Sequence, residues 1–148
     1  MFKVKIAHEA PYALMPEVQR LTDYDYALVH LFEKSEWYYD YFVAALAKGR
    51  EVILDNSIFE LGTAFDAVKF NYYVHKLKPT WYIIPDVLED MEGTVESLHK
   101  YLNDYPSTVH SNSIGVVQGK TIAEIKKCYK LIEPYVDKVA ISFDYSAY

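Results

Sequence analysis

Four short apolar runs, each closing on a polar group, constrain the fold of this chain more than any other feature. They are Val52-Ile53-Leu54-Asp55, Tyr82-Ile83-Ile84-Pro85-Asp86, Ile114-Gly115-Val116-Val117-Gln118-Gly119 and Val139-Ala140-Ile141-Ser142-Phe143-Asp144. Amphipathic stretches of helical period separate them. A buried parallel strand reads as a continuous apolar run, and the crossover to the next parallel strand is usually a helix. The alternation therefore predicts an α/β domain with a parallel sheet. Polar groups at the carboxyl ends of such strands converge on one face, where βα proteins keep their sites. Asp55, Asp86, Gln118 and Asp144 would all point that way, and an enzyme is the first expectation.

Two earlier segments extend the pattern, Phe2 to Ala7 as a first strand and Tyr26 to Phe32 as a second apolar run. The intervening helices follow from spacing. One short turn lies near Glu17 to Leu21. Ser35 fits an N-cap before Tyr38, Tyr41, Phe42, Ala45 and Leu46, with Lys48 and Gly49 as the helix end. A second helix runs from Ala64 to Leu77, with Phe65, Val68 and Tyr72 on one face. Met91, Val95, Leu98 and Leu102 form a third stripe. Ile122, Ile125, Tyr129 and Ile132 form a fourth, behind a Thr121–Glu124 capping-box pattern. No linker or low-complexity tract divides residues 1–148, so one domain is expected. An eight-stranded barrel takes ~250 residues. Six strands in a chain of 148 residues suggest a (β/α) TIM-barrel type with only its first six βα units, a partial or truncated barrel. An open sheet, or closure by a partner, fits the count as well. Unclosed edges invite pairing with another chain, which leaves room for a homo-oligomer.

Composition narrows the function classes. The formal charge of −6 argues against a surface coated with phosphate-binding groups, although a local basic groove can sit on an acidic body. Fifteen tyrosines read first as amphipathic packing, ring buried and hydroxyl at the edge, with base stacking as the alternative. The single cysteine, Cys128, offers neither a disulfide nor a multi-cysteine metal site and reads as a core or boundary residue. The opening Met1-Phe2-Lys3-Val4-Lys5-Ile6 is too short and too charged for a signal peptide. No run reaches the ~20 apolar residues of a membrane helix. The cytoplasm is the default compartment, with no membrane partner.

Among the strand-end residues, Asp55 needs a polar cleft to offset its desolvation, or else caps the Ser57 or Phe59 N–H in the next loop. Asp86, after the stiff Pro85, is either a site residue or an N-cap, although Glu89 and Asp90 are also placed to cap. Gln118 offers a donor and an acceptor side by side, suited to a nucleobase edge. Gly119 would let a ligand approach the backbone, and Gly115 leaves room inside its strand. Asp144 closes the last strand. His8, Glu9, His30 and Glu33 end or follow the first two strands, and a hydrogen-bonded structural histidine is the commoner outcome there. No zinc pattern, P-loop, dinucleotide fingerprint or nucleophile elbow occurs. Neither a metal nor a cofactor is expected.

Three elements in one order carry a resemblance: Leu54-Asp55-Asn56-Ser57-Ile58-Phe59-Glu60, the Pro85-Asp86 strand end and Gly115-Val116-Val117-Gln118-Gly119. Together they resemble the tRNA-guanine (queuine and archaeosine) transglycosylase superfamily, nearest to its shorter phage and bacterial relatives that act on 7-deazaguanine in DNA. The Gly-Val-Val-Gln-Gly element is the most specific. The first string is a looser match to Asp-Ser-Gly-Gly-Phe-Gln. The resemblance implies a glycosyltransferase on a TIM barrel that exchanges guanine for a 7-deazaguanine in DNA or tRNA. One aspartate attacks C1′ and a second handles protons, the two-carboxylate logic of retaining glycosyl transfer. The target nucleotide leaves the stack to be read.

By position, Asp55 matches the proton-handling aspartate, for which nucleophile is an alternative assignment. Asp86 matches the aspartate on the guanine edge, and Gln118 and Gly119 complete base recognition. Ser57 and Phe59, from the first string, are counted with the base-binding residues. Asn56-Ser57-Ile58 departs from the Ser-Gly-Gly loop. The attacking aspartate and the zinc ligands of the tRNA enzymes belong to later segments; Asp144 is a candidate substitute nucleophile, although nothing in the spacing demands it. Two other readings stay open: another barrel enzyme acting on a sugar or phosphate with Asp55 and Asp86 as acid and base, and a non-catalytic, truncated barrel that binds a base or a partner protein.

Overall fold

A computed structural model describes residues 3–106 and 110–142. Its centre is a sheet of five parallel strands: β1 (Asp25–Leu28), β2 (Val52–Asp55), β3 (Trp81–Ile83), β4 (Asn112–Val117) and β5 (Lys138–Ile141). Each strand lies beside its predecessor, in the order β1-β2-β3-β4-β5. The helices are α1 (Met15–Gln19), α2 (Val29–Phe32), α3 (Glu36–Ala47), α4 (Ile58–Leu61), α5 (Ala67–Leu77), α6 (Met91–Asp104) and α7 (Ile122–Ile132). They interleave with the strands. No described helix is long and apolar enough to cross a membrane.

Sequential order has a geometric consequence. Right-handed crossovers between neighbouring parallel strands carry the long helices to one face of the sheet. The register places Ala27, Leu54 and Tyr82 side by side on that face. They are buried in one core with Phe42 and Ala45 of α3, Phe70 and Val74 of α5, Leu98 and Tyr101 of α6, and Cys128 and Ile132 of α7. Alternate residues, Tyr26, Asp55, Ile83 and Val116, point to the opposite face and line a cavity there.

The expected first strand does not form among its described residues. Residues 3–7 carry no strand, and Val4 and Ile6 are exposed. The stretch is pinned by side chains instead. Ile6 N–H donates to Asp23 Oδ2 (3.0 Å), Asp23 N–H donates to Ile6 O (2.8 Å), and Lys3 and Lys5 pair with Asp23 and Glu51. With Lys3 and Lys5 held by Asp23 and Glu51 and Val4 and Ile6 left exposed, the segment adds no strand, and the sheet of the described residues has five strands rather than six. The second apolar run also divides. It leaves the sheet after Leu28, whose N–H is taken by the Tyr38 hydroxyl (3.0 Å), and Val29–Phe32 turns helical.

Two helix faces differ from the periodic reading. In α5 the buried stripe is Phe70, Val74 and Leu77, whereas Val68 and Tyr72 are exposed. Asp66, not a residue near Ala64, caps the helix by accepting the Lys69 N–H (2.8 Å), which starts α5 later than expected. In α7, Cys128 and Ile132 are buried, while Ile122 and Tyr129 are exposed. Both helices carry apolar residues around more than one face, so period alone does not single out the buried one. Other local expectations hold. Ser35 Oγ accepts the Tyr38 N–H (3.2 Å), and Gly49 ends α3 at φ 79°. Thr121 Oγ1 accepts the Glu124 N–H (3.2 Å), but the Glu124 carboxylate takes Lys120 N–H rather than closing the box.

The tyrosines follow the packing reading where they are buried. The Tyr38 ring stacks edge-on against Phe42 at 4.9 Å between centroids, and the Tyr41 hydroxyl donates to Met15 O (3.0 Å). Arg50 anchors the start of β1 through Asp25 (Nε–Oδ2, 2.6 Å) and the Thr22 carbonyl (3.1 Å).

Candidate functional site

The strand ends of β2, β3 and β4 converge on a cavity of about 450 Å³. Asp55, Asn56, Phe59, Asp86 and Gln118 line it together with Tyr26, Glu9 and Glu60. The convergence follows directly from the register, which sets Leu54 beside Tyr82 and Ile83 beside Ile114, so the residues that follow leave the sheet on one edge.

Asp86 is the centre of a buried amide network. Its Oδ1 accepts from Asn56 Nδ2 (2.8 Å) and its Oδ2 from Gln118 Nε2 (2.7 Å). Backbone groups fix the polarity of both amides. Ile58 N–H donates to Asn56 Oδ1 (3.0 Å) while Asn56 Nδ2 also donates to Ile84 O (3.1 Å). Glu89 N–H donates to Gln118 Oε1 (3.0 Å). Neither amide can flip without setting two donors against each other. Residue 86 must therefore accept on both oxygens, as a carboxylate does. Burial pushes the Asp86 carboxyl up, and the two amide donors hold it back. Each oxygen has two acceptor positions, so a ligand's N–H groups can add to the internal bonds. Asp86 is not the cap of the next helix. Asp90 is, accepting the Gly93 N–H (2.9 Å).

Asp55 stands at the next strand end in different surroundings. The Tyr26 hydroxyl donates to its Oδ2. Its Oδ1 accepts the Ser57 N–H (2.5 Å), so the capping role foreseen for it is real and coexists with its place on the cavity wall. Burial lifts its pKa to about 6 against those two donors, and the Glu60 and Asp86 charges add to the rise. Glu9 is also raised, by burial and then by Glu60. A carboxyl near 6 exchanges protons close to neutrality, which is what general acid–base chemistry requires.

Phe59 is 71% exposed at the cavity mouth. Ser57 and Gly119 are set back from the cavity. Ser57 is fully buried in a left-handed turn (φ 61°), and its Oγ accepts the His30 N–H (3.3 Å). Gly119 packs against the start of α7, where a Cβ would lie 2.8 Å from Glu124 Cβ and 3.0 Å from Ile125 N. Gly119→Ala is accordingly expected to destabilise the fold by about 1–3 kcal/mol, read as a lower thermal midpoint. The space left by Gly115 is filled by Val136 and Ile132, with a built Cβ only 3.1 Å from Val136 Cγ1. Asp144 lies outside the described residues. Burial lowers the His30 pKa, with the Lys34 charge adding to the fall, and its Nδ1 is buried without a partner. His8 and Glu9 border a second cavity of about 300 Å³ beside β1. Its buried charge, Asp25, is already paired with Arg50. Among the described residues no group of three His, Cys, Asp or Glu side chains could hold a metal ion.

Sequence reasoning missed Tyr26 and Asn56. Tyr26 had a readable signal, since a residue paired with Ile53 in a parallel ladder faces the same side as Asp55, two places on. Asn56 had none, because its role rests on the Asp86 carboxylate thirty residues away. No protein-family model matches the chain, and neither does any curated protein or solved structure.

Proposed function

We propose that this chain is a barrel-type transglycosylase-like protein whose cavity binds guanine or a 7-deazaguanine and exchanges one for the other in nucleic acid. One observation carries the reading: two carboxylates with unlike surroundings, half-buried Asp55 near pKa 6 and buried Asp86 fixed as a double acceptor, share one cavity. Pairs of carboxyl groups set apart by environment divide acid–base work from binding. Asp86 accepts from N1–H and the exocyclic amine of the base. In the exchange a second carboxylate takes the ribosyl group at C1′ as its bond to guanine breaks, and the entering base then displaces that carboxylate. Asp55 gives a proton to the leaving base and takes one from the entering base. The exposed Phe59 ring offers a face for base stacking. The unreversed strand order supports the barrel type over a doubly wound sheet, whose order reverses at its ligand site.

Calorimetric titration with 7-deazaguanine tests binding, and incorporation of labelled guanine into tRNA and into DNA tests exchange. Phe59→Ala is expected to weaken binding about 10- to 100-fold through lost stacking, with an unchanged melting temperature because the ring is exposed. Wild-type protein that binds no base, or equal affinity in wild type and Phe59→Ala, contradicts this assignment. Binding without exchange leaves a base-binding protein.

A further inference from the structure

Asp55 is held by donors from two different elements. Ser57 N–H, from the turn after β2, takes Oδ1, and the Tyr26 hydroxyl, from β1, takes Oδ2. Tyr26 reaches it diagonally across the open face of the sheet, since its own ladder partner is Ile53 and Asp55 is paired with Leu28. With one donor on each oxygen, the plane of the carboxylate is fixed and its remaining acceptor positions are presented to the cavity. We propose that Tyr26 is a positioning residue for Asp55, orienting the carboxylate and stabilising its ionised form through the hydroxyl bond to Oδ2. The proposal rests on the reading of Asp55 as the proton-handling group.

The electrostatic setting makes this bond matter. The groups that face Asp55 are Glu9 from the N-terminal stretch, Tyr26 from β1, Tyr38 from α3, Glu60 from α4 and Asp86 after β3. The described groups in this set are acids or phenols. With no cation among them, hydrogen bonds are what favour the carboxylate against burial. Tyr26 stays a donor throughout, because burial, then Asp55, then Glu9 and Glu60, push its own ionisation far above the ordinary phenol range. A phenylalanine at position 26 would keep the ring volume against the sheet and remove only the donor.

The test is a pH titration of aspartate carboxyl carbons by NMR on the full chain, with Asp55→Asn identifying the Asp55 signal. In Tyr26→Phe the Asp55 midpoint is expected to rise by about one pH unit, the size of a lost hydrogen bond to the charged form. Fluorotyrosine at position 26, a more acidic and stronger donor of nearly the same size, is expected to move it down. An Asp55 midpoint that stays in place in both proteins overturns the proposal, whatever happens to stability. Where Tyr26→Phe fails to fold, the fluorotyrosine protein decides alone. In the exchange assay the acidic limb of the pH–rate profile should move with the midpoint. A shifted midpoint without any exchange would preserve the role of Tyr26 and remove the transglycosylase reading. Exchange with an unmoved midpoint would do the reverse.

Discussion

Asp86→Ala is expected to lower the unfolding free energy by about 2–4 kcal/mol, because buried donors left without an acceptor each cost about 1–3 kcal/mol. The side chains affected are Asn56 and Gln118, which give Asp86 bonds of 2.8 and 2.7 Å. Asn56 keeps its second acceptor, Ile84 O, which limits the loss. The more telling variant is Asp86→Asn. It preserves shape yet is expected to recover little stability, since its own NH2 must face one of two amide NH2 groups. Ile58 N–H and Glu89 N–H prevent those amides from turning round. Urea unfolding of the three proteins checks this. An Asp86→Asn protein as stable as wild type would mean that the amides reorient freely, and the fixed double acceptor would be lost with it.

Asp55→Asn should act in the opposite direction on stability. Its folded-state pKa is raised to about 6 from 3.8. A raised carboxyl stabilises the fold fully below its unfolded pKa, and that contribution disappears as pH rises through the folded pKa. At 1.36 kcal/mol per pH unit, wild type therefore loses about 3 kcal/mol of stability from this group between pH 4 and pH 7. Asparagine carries no such charge, can accept the Ser57 N–H and can donate to the Tyr26 hydroxyl. The variant should be more stable than wild type by about 3 kcal/mol at neutral pH, with the difference vanishing near pH 4. Base exchange should be abolished. Unfolding curves measured across that range read the first effect. A stability difference independent of pH would show that Asp55 titrates like an ordinary surface carboxyl. A group that destabilises the fold where it is needed for chemistry is a common trade between stability and activity.

Much of this site follows from local pattern. Asp55, Asp86 and Gln118 end apolar runs, and parallel strands in sequential order bring such ends together. The helix caps at Ser35 and Thr121 were equally legible, because they depend on residues three apart. Features set by distant partners were not. Asn56 is 1% exposed because Asp86 and the Ile84 carbonyl claim its amide, and nothing near position 56 announces that. The Gly119 backbone reads as open to a ligand, whereas the α7 turn occupies the space beside it. The segment after Phe2 alternates like a strand, yet its lysines find Asp23 and Glu51, and the sheet does without it. In α5 and α7 the helix was readable and the buried face was not, since Val68, Tyr72, Ile122 and Tyr129 are apolar residues left outside.

The central claim, that a purine-like base docks on Asp86 and Gln118 beneath Phe59, is tested most directly by side-chain amide NMR. The 15N-labelled protein would be titrated with 7-deazaguanine while the NH2 signals of Asn56 and Gln118 are followed. Both amides donate to the carboxylate that the base would share. The account predicts that these two signals shift together and saturate at the calorimetric stoichiometry. Saturable binding that leaves both unmoved would place the base elsewhere and contradict it.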